Sequence, residues 1–239
     1  MTGASLQFVN DDFINACRDY FYLVNLHYPE RGVLKLVGDR YRLSGDQRTV
    51  LYRGISSQKR ADNRRNLLTR EFTGKKLLID GYNILFSLIN YRLGKILFIS
   101  TDGILRDAGS LHGKLKEQHA LNSGIEMMVD YLALQNPASV EIYLDSPVSH
   151  SEKHAALIRE MLTDKGIKGK SSVIRSADWA LRHGAECIIA TSDTGIIDSA
   201  MLPVTDLPLA ILRSNYNTEF LDLAELLSAQ QAQHAVDKR

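Results

Sequence analysis

Cysteine is nearly missing from this chain: Cys17 and Cys187 are the only two among 239 residues, and they lie far apart. That excludes a disulfide framework, and with it a zinc site built from four cysteine and histidine ligands. No apolar run approaches the roughly 20 residues that cross a bilayer, so no membrane partner is expected. Met1 to Asp12 show no basic stretch leading into an apolar one, which makes the cytoplasm the expected location. Tryptophan occurs once, at Trp179, and reads as a core residue rather than a base-stacking platform. Also missing are a Gly-x-Gly-x-x-Gly after the first apolar strand and a phosphate-loop glycine–lysine pattern. Dinucleotide and phosphate-loop enzymes are therefore excluded.

What is present is ordinary in amount and uneven in placement. A hydrophobic fraction of 44% fits a soluble globular chain long enough for one large domain or two small ones. Net charge is only +1, yet from Arg31 to Lys76 thirteen basic residues face four acids, Asp39, Asp46, Asp62 and Glu71. A basic segment joined to an acidic remainder is a pattern of nucleic-acid enzymes, with a solvated helical surface as the plain alternative. Arg60, Arg64 and Arg65 are the candidates for gripping phosphate, because the planar guanidinium fork suits phosphate oxygens. Their competing role is assembly, either between domains or between two copies in a homo-oligomer.

Residues 1–74 read as a small basic helical domain. Phe13, Ile14, Cys17, Tyr20, Phe21 and Val24 recur at helical spacing. Pro29 ends that helix with Gly32 in the turn, and Ser44 or Asp46 caps the next. Gly54 breaks this second helix, and an arginine-rich helix continues towards Leu68. Residues 75–239 alternate. Strands are expected near 76–80, 95–100, 140–145, 171–175, 186–191 and 208–213. Helices are expected near 83–92, 113–135, 150–165, 176–184, 194–200 and 218–230, with a frayed tail from Gln230. Such alternation predicts an α/β domain with a mostly parallel sheet. Asp102-Gly103 is a tight-turn signal and marks either a hairpin beside the sheet or a strand–helix connection.

The most informative stretch is Leu77-Leu78-Ile79-Asp80-Gly81-Tyr82-Asn83, a buried-strand pattern running into an acid, a glycine and an asparagine. The same grammar recurs at Asp145, after Glu141-Ile142-Tyr143-Leu144, and at Asp193, after Ile188-Ile189-Ala190-Thr191-Ser192. Strand ends are where α/β proteins place ligands, and three strand-end carboxylates predict one acidic cluster holding a divalent cation.

In this order the motifs resemble the PIN-like nucleases, and within them the NYN branch. Asp80-Gly81-Tyr82-Asn83 matches the opening strand, and Asp145 the acid midway. Asp178 matches an acid that begins a later helix, Ser192-Asp193 a late strand end, and Asp198 an acid one turn on. The resemblance covers roughly residues 76–213, and a small basic helical domain ahead of such a domain resembles a group within it. It implies a Rossmann-like three-layer fold and a metal-dependent nuclease that favours RNA over DNA. Asp80, Asp145, Asp178 and Asp193 would be its catalytic acids and its Mg2+ or Mn2+ ligands, with Asp198 behind them. The chemistry is coherent, because converging carboxylates need a cation and such a cation can activate water against a phosphodiester.

Each residue also has a plainer role. Asp80 and Asp145 could make turns, Asp193 could cap a helix, and Asp178 could favour a helix dipole. Asn83 could cap its helix, or orient Asp80 or a phosphate oxygen; Ser192 stands with it as a substrate contact. Asp102 and Arg106 could supply a further ligand and a phosphate grip, or make a turn and an ion pair. His150, Lys153 and His154 read as a solvated helix start. A haloacid-dehalogenase-type phosphatase is excluded by Tyr82, which occupies the position of its second aspartate. The remaining rival is a non-catalytic RNA-binding or regulatory module on the same scaffold.

Overall fold

A computed structural model describes residues 8–109, 118–182 and 186–236, with the side chains of residue 118 and of 230–236 left aside. The elements run α1 (Asp11–Asn25), α2 (Glu30–Arg40), α3 (Gly45–Gly54), α4 (Gln58–Arg65), β1 (Lys76–Asp80), α5 (Gly81–Arg92), β2 (Leu97–Ile99) and β3 (Leu105–Asp107). There follow α6 (Gln118–Gln135), β4 (Ser139–Asp145), α7 (Ser151–Asp164), β5 (Gly169–Ile174), α8 (Ala177–Arg182) and β6 (Ile188–Ala190). The chain ends with α9 (Thr194–Ser199), β7 (Val204–Thr205), α10 (Leu207–Tyr216), β8 (Leu221–Asp222) and α11 (Leu223–Val236). Among the described residues, no helix is long and apolar enough to cross a membrane.

The chain divides into two compact units: Met1–Arg65 with Ile96–Gly109 and Phe220–Arg239, and Asn66–Lys95 with Ser110–Glu219. The boundary expected at 74/75 thus falls at 65/66. The reason lies in residues 67–69, where Leu67 O accepts from Val204 N and Thr69 N donates to Val204 O, tying this stretch to β7.

The first unit holds α1–α4, the three-stranded sheet β3-β2-β8 and α11. Asn10 caps α1 by accepting from Phe13 N at 2.8 Å. Ser44, rather than Asp46, starts α3 in a reciprocal capping box with Gln47, satisfying two otherwise orphaned backbone donors. Phe13, Cys17, Tyr20 and Val24 turn inward from α1 onto Val33, Val50, Leu51, Phe98 and Leu223. Gly32 is not in a turn but inside α2, which begins at Glu30 behind Pro29. The arginine-rich helix stops at Arg65, short of Leu68.

The second unit is α/β. Its five strands run in the order β5-β4-β1-β6-β7, and every pairing is parallel. From β1 the chain next builds outward through β4 and β5, then returns to the other side of β1 for β6 and β7. The switch point therefore lies between the carboxyl ends of β1 and β6, where open α/β sheets leave a crevice.

Three sequence expectations fail here. The strand near 95–100 exists as β2, but it pairs with β3 and β8 in the first unit instead of joining the parallel sheet. Residues 208–213 are helical: Asp206 caps α10 through Leu209 N at 3.0 Å, Pro208 sits in the first turn, and Leu207, Ile211 and Leu212 are buried at helical spacing. The helix near 218–230 begins only at Leu223, after β8, and it continues to Val236 through the segment expected to fray. Residues 113–117, 183–184 and 237–239 of the expected helices and tail lie outside the described residues, as do 1–7.

Candidate functional site

Asp80 stands at the carboxyl end of the central strand and is 6% exposed. In β1–β4 register it faces Tyr143, while Ile79 pairs with Ala190 across β6, which puts Thr191 level with Asp80. Thr191 Oγ1 donates to Asp80 Oδ2 at 2.9 Å and accepts from Asp193 N at 3.1 Å. These two bonds fasten the β6 end to Asp80 across the switch point. Asp80 precedes α5 yet makes no side-chain cap to it, so its other oxygen is not spent on helix geometry.

Gly81 explains why the motif needs glycine. A Cβ there would lie 2.9 Å from Tyr143 O and press on Leu144. Gly81→Ala is expected to cost about 1–3 kcal/mol by overpacking and to shift Asp80. Urea denaturation checks the loss, and an unchanged midpoint would show that β4 has room.

Burial pushes the Asp80 carboxyl up to about 7, the Thr191 bond opposes this, and Asp145, Asp193 and Asp178 each push it further up. The Asp178 carboxyl is raised as well, first by the partial desolvation of this otherwise exposed side chain and then by Asp193, with Arg182 opposing and Asp145 adding. The four carboxylates singled out in the sequence therefore share one electrostatic neighbourhood on one rim. Their local roles differ. Asp145 Oδ1 accepts from Ala177 N at 2.9 Å and so fixes the start of α8. Asp193 Oδ1 accepts from Gly195 N at 2.7 Å and from Ile196 N at 3.0 Å, capping α9. Asp178 and Asp198 are exposed on short helices.

Asn83 neither caps α5 nor touches Asp80 through its carbonyl. Its Oδ1 accepts from both Ser192 N and Ser192 Oγ at 2.8 Å, which holds the loop after β6. Ser192 is buried in that bond. The donor set is all hard oxygen, the chemistry that Mg2+ or Mn2+ selects. Among the described residues, no three His, Cys, Asp or Glu side chains are drawn together as a ready-made metal group.

The second charged knot belongs to the other unit, and its reading as a phosphate grip is corrected. Asp102, Arg106 and Arg64 are all buried. Arg106 Nη1 and Nη2 fork onto Asp102 at 2.8 Å, and Arg64 Nη1 joins at 2.9 Å. Burial alone would raise the Asp102 carboxyl, but Arg106, Ser100 and Arg64 together bring it down to about 2. An ionised aspartate held between two arginines is a structural ion cluster, and neither arginine presents a face to substrate. Arg60 and Arg65 remain at the surface, the former 2.6 Å from Glu30 and the latter 3.4 Å from Asp62.

His154 is likewise no solvated helix start. It is buried, its Nδ1 lies 2.8 Å from Tyr82 Oη, and burial lowers its pKa. Two further features are not foreseen from the sequence: the role of Thr191, and the exposure of Trp179. The Thr-Ser-Asp end of β6 carries a usable signal for Thr191, since a polar residue closing a buried strand needs a partner.

The fold and rim define an α/β protein whose acidic cluster sits at the switch point of a parallel sheet. The chain belongs to the family described as "Domain of unknown function (DUF5616)", which matches residues 69–209, and "Protein of unknown function (DUF434)" matches residues 12–66. The break between the two matches falls beside the 65/66 boundary of the units. "Uncharacterized protein MJ0935" of Methanocaldococcus jannaschii is 32% identical over 186 residues, covering 77% of this chain and 88% of that protein. No solved structure matches.

Proposed function

We propose that the protein is a PIN-like, divalent-metal-dependent nuclease that hydrolyses phosphodiester bonds, with RNA favoured over DNA. One observation carries the reading: Asp80, buried at the switch point, has its carboxyl pushed up to about 7 by burial and by three further carboxylates on the same rim. A carboxylate in that position is costly unless something neutralises it, and a hard cation does so. Mg2+ or Mn2+, when bound, supplies an acidified water and charge stabilisation for the phosphate. Asp80 would be the central ligand, with Asp145, Asp178 and Asp193 completing the set and Asp198 in support. Thr191 fixes the Asp80 carboxylate, and Asn83 with Ser192 fixes the loop that carries Asp193. Arg60 and Arg65, at the surface of the first unit, are candidates for electrostatic attraction of the strand.

A second reading, a non-catalytic RNA-binding or regulatory module, is favoured by the lack of a ready-made metal group among the described residues. Calorimetric titration with MnCl2 and MgCl2 separates the two. The nuclease reading expects saturable heat that Asp80→Asn removes, together with cleavage of labelled RNA in manganese. Absence of both heat and cleavage would hand the function to the binding module.

A further inference from the structure

The hairpin of α1 and α2 leaves a strip of large apolar side chains in water. The two helices join at residues 26–29; further along, Asp19 meets Arg40 at 3.9 Å and accepts from Tyr41 Oη at 2.7 Å, so they lie antiparallel and side by side. Phe13, Cys17, Tyr20 and Val24 of α1, with Val33 and Val37 of α2, take the core side. On the outer side Tyr22 is 64%, Leu26 51% and Leu36 63% exposed. Tyr22 and Leu26 stand one turn apart on α1, as do Gly32 and Leu36 on α2. Counting from the Asp19–Arg40 contact, a step along α1 and back along α2 puts Tyr22 level with Leu36, and one more turn puts Leu26 level with Gly32. A Cβ added to Gly32 would meet nothing within 4 Å, and Gly32, Lys35, Leu36, Asp39 and Arg40 line an open depression. Single exposed apolar residues are ordinary, but three large ones in a continuous strip mark a contact surface.

Charge decides what fits there. α1 carries Asp11, Asp12 and Asp19 against Arg18, whereas α2 carries Arg31, Lys35 and Arg40 against Glu30 and Asp39. An acidic helix beside a basic one does not suit a polyanion, but it complements the same hairpin turned over. We propose that this face is an isologous contact with a second copy of the chain, α1 of each copy lying antiparallel across α2 of the other in a four-helix bundle. A two-fold axis running along the helices keeps the levels in register. Tyr22 then packs on Leu36 of the second copy, Leu26 enters the space over Gly32 of the second copy, and acidic α1 meets basic α2 twice. The inference is independent of the nuclease reading.

Sedimentation velocity of the full-length chain, 26.8 kDa as a monomer, reads the association directly over a range of concentrations. The wild type should dimerise, and raising NaCl from about 0.05 to 0.5 M should weaken the dimer about 10-fold. Leu36→Lys and Gly32→Leu should each weaken it at least about 30-fold, the first by burying an ammonium, the second by filling the space that Leu26 needs. Gly32→Leu adds helix propensity and its Cβ meets no neighbour in its own chain, so loss of the dimer cannot be put down to unfolding. Far-UV circular dichroism should be unchanged in both variants. A wild type that stays monomeric throughout overturns the proposal. So does a dimer that both variants leave intact, which puts the contact elsewhere, and so does a dimer indifferent to salt, which rules out α1 lying on α2. A monomer that binds labelled RNA and loses it in Leu36→Lys makes the strip a nucleic-acid surface, and overturns the proposal as well. No arm reads cleavage, so failure here leaves the nuclease reading standing.

Discussion

Replacing Asp80 with Asn should abolish cleavage and at the same time make the protein more stable at pH 8. The two outcomes share a cause. The folded carboxyl is pushed up to about 7 from an ordinary value of 3.8. A carboxyl raised in this way contributes its full stability below about pH 4, where both states are protonated, and loses it as pH rises through 7. Above that, ionised Asp80 destabilises the cation-free fold by on the order of 4 kcal/mol, since each tenfold difference in proton affinity between the folded and unfolded chain is worth about 1.4 kcal/mol. Asn keeps the volume and an oxygen able to accept from Thr191 Oγ1, but never ionises. Urea denaturation in EDTA should therefore show Asp80→Asn several kcal/mol above wild type at pH 8 and close to it at pH 4. Adding MnCl2 should raise the wild type towards the variant and leave the variant unmoved, since ligand binding stabilises only the state that binds. A stability gap independent of pH would show that Asp80 is not strained by its neighbours. A variant that still cuts would remove it from the chemistry.

The acidic rim was legible because its signals are local. An apolar run into Asp-Gly reads as a buried strand meeting a turn, and the close approach of Tyr143 O to Gly81 is the physical reason that only glycine fits. Sheet membership was not legible. Leu97, Phe98 and Ile99 look like any buried strand, and nothing within them says that the partners will be Leu105–Asp107 and Leu221–Asp222 rather than β1. Residues 208–213 mislead for a related reason. A short apolar run does not distinguish a strand from a buried helix, and the deciding feature is the cap at Asp206. Burial of single polar or aromatic residues was the least accessible. Arg64 turns inward because Asp102 waits 38 residues further along the chain, whereas Trp179 turns outward because Ala177 and Leu181 take the inner face of a six-residue helix.

The buried arginine pair should make Asp102 the most sensitive position of the first unit. Its carboxylate accepts the Arg106 fork, Arg64 Nη1 at 2.9 Å and Ser100 Oγ at 2.5 Å, all out of water. Asp102→Ala leaves two buried guanidinium groups without the carboxylate they share. Breaking a buried ion cluster from one side typically costs about 3–5 kcal/mol, a large part of an ordinary domain's roughly 5–15 kcal/mol. The exposed pair Arg60–Glu30 provides the contrast: Glu30→Gln should cost less than about 1 kcal/mol, because water already screens it. The pH dependence has the opposite sign to that of Asp80. Asp102 is held down at about 2, so its stabilisation is complete above about pH 4 and is lost as pH falls through 2. Urea midpoints of the wild type should therefore fall on acidification below pH 4, and those of Asp102→Asn should fall less. If Asp102→Ala unfolds within about 1 kcal/mol of wild type at pH 7, the cluster is not what holds β2 and β3 to α4. If it is, replacing all three charged residues together with apolar ones of similar volume should recover much of the loss, because the penalty comes from stranded charge rather than from missing contacts.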